Sequence, residues 1–204
     1  MINQIIESLK NPLEERGFKY RKSTNEFILK TKEKNSLAIC ISTKNISSSE
    51  HIQIILEVNL RLEKIEAVYS KFHPYLTEAE KKKNNTVFIN KSGSLLKSYK
   101  LDDTINCADD ILAVIVNEIL PLQKYWNMDA LVENLRHSDS NEWILPESLQ
   151  KYYILMSYNV IKDDKKEFEN TTNQLQTFCQ SKQMTIHQTA INQFIEKMRQ
   201  TYFT

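Results

Sequence analysis

The sequence predicts an α+β protein in which an N-terminal helix-flanked antiparallel sheet is followed by a helical array. Three observations carry that prediction. Apolar residues alternate at period two through three successive stretches before residue 63, which is strand spacing. The segments between those stretches are short and polar, so they fit hairpins and leave no room for a helical crossover. From Asp103 onward, every periodic segment repeats its apolar residues at helical spacing.

In chain order, Ile5, Ile6, Leu9 and Leu13 mark an amphipathic helix, and Gly17 stands where a left-handed residue ends one. Phe27, Leu29 and Thr31, then Leu37, Ile39 and Ile41, form the inner faces of two strands. The third strand, with Ile52, Ile54, Leu56, Val58, Leu60 and Leu62, gives the strongest alternation in the chain. Lys32–Ser36 and Lys44–Glu50 connect them. Ile65, Val68, Tyr69 and Phe72 return to helical spacing and stop at His73-Pro74, because a residue before proline is pushed out of the helical region. Lys81–Asn85 reads as a turn, with further strands over Val87–Ile89 and Leu95–Leu101 around Ser92-Gly93-Ser94.

The second half reads as helices carrying Ile111, Ile115 and Ile119 up to Pro121, then Met128–Leu135, Leu149–Val160, Phe168–Phe178 and Ile186–Tyr202. Asp102-Asp103 and Asp109-Asp110 suit a helix cap and first turn. Gln150–Ile161 and Lys165–Gln180, joined by Lys162-Asp163-Asp164, have the outline of a tetratricopeptide hairpin. A repeat array needs several such units, so ordinary helix packing is the expectation. The organisation expected is residues 1–102 as helix plus sheet and residues 103–204 as the helical region, separate from the first or continuous with it.

Composition narrows the function classes. With 204 residues, 41% hydrophobic and 26% charged, the chain fits a globular protein and excludes coiled-coil, collagen-like and wholly disordered classes. Its longest apolar run, Ile111–Val116, falls far short of the ~20 residues that span a bilayer. Glu7 interrupts the start of the chain before a signal-peptide core, so a cytoplasmic location without membrane contact is expected.

Cys40, Cys107 and Cys179 are too widely spaced for a zinc ribbon or a disulfide framework and are expected to be buried thiols. Two glycines, Gly17 and Gly93, cannot build a phosphate-cradling loop. Neither GxSxG nor HExxH occurs around the serines or around His51, His73, His137 and His187. His137-x-Asp139 with Glu142 has a spacing that could hold a cation, and it reads more simply as a solvated loop. No catalytic residue, metal or cofactor is therefore expected.

Charge is uneven along the chain. Residues 1–100 hold 18 Lys+Arg against 11 Asp+Glu, net +7, and residues 101–204 hold 9 against 15, net −6. Such a split can draw the halves together or offer each to a partner of opposite sign. Lys19-Tyr20-Arg21-Lys22, Lys30/Lys32/Lys34 and Lys81-Lys82-Lys83 are the basic clusters, and they lack the motifs of known nucleic-acid modules.

Strand alternation also defines an outward face holding Ile28, Lys30, Lys32, Ala38, Cys40, Ser42, Gln53, Ile55, Glu57, Asn59 and Arg61. Its mixture of apolar and charged side chains makes Lys30, Lys32, Gln53, Ile55, Glu57, Asn59 and Arg61 the candidate binding residues. Trp143, in the polar break His137–Pro146, joins them as either a core anchor or a contact residue.

The opening helix through Leu13, Gly17-Phe18-Lys19-Tyr20-Arg21, the strand through Phe27, Glu57-Val58-Asn59-Leu60 and Ile119-Leu120-Pro121 with Trp126 together resemble an uncharacterised family of small bacterial domains. The likeness covers roughly residues 1–137. It implies a curved antiparallel sheet and an accessory or toxin-immunity role, with no catalytic residues to carry over.

The function expected is non-enzymatic binding of a protein partner of unknown identity, such as inhibition of a cationic toxin. The alternatives are a nucleic-acid-associated module using Lys19, Arg21, Lys22, Lys30, Lys32 and Lys81–Lys83, and an enzyme whose site is dispersed along the chain.

Overall fold

A computed structural model describes residues 1–46, 50–73, 77, 86–90, 95, 98–100, 102–137, 148–184 and 188–203. It has the predicted α+β architecture. The chain divides into two compact units, the first formed by Met1–Leu60 and Phe88–Trp126 and the second by Arg61–Val87 and Asn127–Thr204. The division interleaves the two units and does not fall at residue 102/103. The reason is packing: the helix after Asp103 lies on the N-terminal helix, while the helix after Leu62 lies among the later helices. Counted by unit, the charge asymmetry disappears. The first unit holds 13 Lys+Arg against 12 Asp+Glu, and the second holds 14 of each.

In the first unit, α1 (Ile2–Glu14) buries Ile5, Ile6, Leu9 and Leu13. It ends where Gly17, at φ +87°, lets its own N–H bond to Glu14 O (2.9 Å) and the Phe18 N–H bond to Leu13 O (3.0 Å). This is a Schellman turn, and Leu13 and Phe18, the two residues its longer hydrogen bond joins, are both buried.

The sheet runs β1 (Lys19–Arg21), β2 (Glu26–Lys30), β3 (Ser36–Asn45), β4 (His51–Arg61) and β5 (Val87–Asn90), with β6 (Tyr99–Lys100) also paired to β4. β1 and β2 are antiparallel, as are β2 and β3. β3 and β4 are hydrogen-bonded neighbours, and at their adjoining ends the Ile46 N–H bonds to His51 O. Every even-numbered residue from Ile52 to Leu62 is buried, as the alternation predicts.

Three features of this unit differ from expectation. β1 is a three-residue strand inside a stretch read as a basic cluster, because Tyr20 pairs with Phe27 across the ladder and stacks on it at 5.1 Å. Of the strand expected over Leu95–Leu101, only Tyr99–Lys100 is paired among the described residues. The helix after Asp103 does not end at Pro121. α3 (Thr104–Val114) widens into a π turn at Ile115–Ile119 and continues as 3-10 turns over Leu120–Trp126. Pro121 has no N–H to donate and its ring crowds the carbonyl four residues back, and the π turn contains that carbonyl at Asn117.

Capping explains less of the acidic pairs than expected. Asp103 occupies the N-cap position of α3 without a side-chain cap bond, and it accepts a bond from the Asn106 amide instead. Asp110 accepts from the Tyr99 hydroxyl at 2.9 Å, which ties α3 to β6.

The second unit is helical. α2 (Glu63–Phe72) stops before His73 as predicted, and α4 (Met128–Arg136), α5 (Leu149–Ile161), α6 (Lys165–Ser181) and α7 (Gln188–Tyr202) complete it. α5 packs on α2, α4 and α6, and it is buried around nearly its whole circumference, the behaviour of a central helix. α5 and α6 make the expected hairpin. Asn127, Ser148 and Asp164 cap α4, α5 and α6 by accepting backbone N–H bonds.

Candidate functional site

The outward face of the sheet follows from the strand registers. Lys19, Ile28 and Ala38 lie in one cross-strand row, and Arg21, Glu26 and Cys40 in the next. Counting along the β3–β4 ladder from the Ile46–His51 hydrogen bond continues these rows to Asn59 and to Glu57. Cys40 therefore sits between two carboxylates, each one strand away. Burial pushes its thiol pKa up, and the charges of Glu57 and Glu26 push it further.

The two carboxylates differ in their company. Glu26 has the Arg21 guanidinium 3.8 Å away and accepts a hydrogen bond from Thr24 at 2.7 Å. Among the described residues, no cation pairs with Glu57. The β3 residues facing outward are small, Ser36, Ala38, Cys40 and Ser42, whereas β2 and β4 present the longer side chains of Ile28, Ile55 and Glu57 on either side. Ile28 is buried despite facing outward, and Ala38, Cys40, Ile55, Glu57 and Asn59 are half-buried. The face is thus a partly apolar trough that holds, among the described residues, a carboxylate with no cation paired to it.

Of the candidate binding residues, Ile55, Glu57 and Asn59 belong to this trough, and Gln53 is exposed at its end. Lys30 is exposed at the end of β2 opposite Ser36, and Lys32 is exposed in the following turn. Arg61 falls in the second unit, where its Nε donates to Glu63 at 3.0 Å. Trp143, Asp139 and Glu142 lie outside the described residues, as do Lys81–Asn85 and Ser92–Ser94. The expectation of three buried thiols needs correction: Cys107 and Cys179 are buried, while Cys40 is half-exposed because its strand position faces outward.

The sequence reading missed two clusters in the second unit. Along α2, Glu66, Tyr69 and His73 share one helical face, with Glu66 fully buried and the His73 ring set edge-on to Tyr69 (4.9 Å) and Tyr153 (5.7 Å). Their spacing of three, four and seven is the signal that could have revealed them. The second cluster joins α4 to α5. Tyr158 donates to Asp129 at 2.5 Å and the Lys162 ammonium lies 2.9 Å from the same carboxylate. These contacts hold the Asp129 pKa below the usual carboxylate range, the tyrosine hydrogen bond contributing most. Asp129 and Lys162 are exposed, so this arrangement cross-links two helices at the surface.

Among the described residues, no group of histidine, cysteine and carboxylate side chains could hold a metal ion, and no helix is long and apolar enough to cross a membrane. Comparison of the chain with protein-family models, with curated proteins and with solved structures finds no match.

Proposed function

We propose that this chain is a non-enzymatic binding protein whose outward sheet face docks a protein partner that presents a basic side chain. The observation that supports the reading best is Glu57, a half-buried residue whose carboxylate has no cation paired with it among the described residues, set among Ile55, Ala38 and Cys40. An incoming guanidinium would pair with that carboxylate through charge-assisted, bidentate hydrogen bonds. The surrounding apolar side chains supply area that a partner would remove from water. An inhibitor of a cationic protein fits this chemistry, in keeping with the immunity-like role that the resemblance to small bacterial domains implies. The charge difference between the sequence halves lends no support, because the folded units are nearly neutral.

The test is affinity capture from native lysate with the intact chain and three variants, Glu57→Lys, Ile55→Asp and Ile105→Asp. Ile105 is 73% exposed on α3 and serves as a surface control outside the sheet. A stoichiometric protein retained by wild type and by Ile105→Asp, lost with Glu57→Lys and Ile55→Asp, and weakened by salt supports the reading. Equal retention by all four proteins overturns it. Retention of nuclease-sensitive material that falls steeply with salt points instead to nucleic-acid binding by the exposed lysines.

A further inference from the structure

We draw no further inference here: the strongest candidate, the open groove between α5 and α6 lined by Tyr152, Asn173, Gln174, Thr177, Phe178 and Lys182, is largely the solvated outer face of one helix, and nothing in the structure shows what covers it.

Discussion

The Cys40 thiol and the Glu57 carboxylate stand on the same face of the sheet, and the carboxylate adds to the rise that burial imposes on the thiol pKa. Thiolate is the reactive form, so this environment keeps Cys40 slow toward alkylating agents. Glu57→Gln removes one negative charge and lowers the thiol pKa. The pH profile of iodoacetamide labelling at Cys40, read by mass spectrometry, shifts to lower pH in that variant. Glu26→Gln acts in the same direction and less strongly, because Arg21 already offsets Glu26. Buried Cys107 and Cys179 provide slow internal references. An unchanged profile in Glu57→Gln would remove the electrostatic link between the two strands.

Helix ends give a second prediction. Gln183 holds φ 52° at the end of α6, where its N–H bonds to Gln180 O and the Met184 N–H bonds to Cys179 O. This is the same turn that Gly17 makes after α1, with a side chain where glycine is favoured. Gln183→Gly raises stability by about 0.5–1 kcal/mol, since an L residue loses about 1–2 kcal/mol in the left-handed region and glycine returns part of that gain as backbone entropy. Gly17→Ala has the opposite sign. The added Cβ meets Leu29 Cδ1 at 3.2 Å as well as carrying the conformational cost, so the variant loses about 1–2 kcal/mol. Urea unfolding of the two variants beside wild type reads both, and equal midpoints for all three proteins would contradict the account.

These positions also show why some of the molecule was legible in the sequence and some was not. Ile52–Leu62 announced its inward face because a period-two pattern has only one way to bury six large apolar residues. Gly17 was legible for a similarly local reason. β1 was hidden, since two of its three residues are charged and its place depends on the ladder that β2 supplies. Pro121 misled because a proline usually ends a helix, and a π turn upstream let this one continue. The face containing Glu57 followed from alternation, but whether a described cation pairs with it depends on which residues the registers set beside it. Charge was the least reliable guide: sequence halves are not folding units here, because α3 packs on α1 across about a hundred residues of chain.

A buried polar link between α5 and α6 yields a third prediction. The Asn159 amide donates to Thr171 Oγ1 at 3.0 Å, and the Asn159 side-chain oxygen accepts from Arg136 at 3.3 Å. Asn159 and Thr171 are both buried. Thr171→Val leaves the amide donor without its acceptor and costs about 1–3 kcal/mol. In an Asn159→Leu background the same substitution costs much less, because no donor is left behind. A double-mutant cycle by denaturant unfolding measures the difference, and additive losses would show that the hydrogen bond contributes nothing.

Acid sensitivity follows from the clamp between α6 and α7. Arg199 reaches Glu169 through two parallel bonds, Nε to Oε1 at 2.8 Å and Nη2 to Oε2 at 2.7 Å, and its other nitrogen, Nη1, donates to Glu196. The Arg199 hydrogen bonds hold the Glu169 pKa below its ordinary value of 4.5 despite partial desolvation, which acts the other way. A carboxylate whose pKa is depressed by folding stabilises the fold fully above its unfolded value, and that stabilisation is lost as the pH falls through the lower folded value. Arg199→Met keeps the apolar stem and removes the guanidinium. Its stability therefore lies below wild type at neutral pH, and the gap narrows once the pH drops beneath 4.5. Glu169→Gln shows the same narrowing, whereas a gap that stays constant through the acid range would mean that Arg199 acts by packing alone.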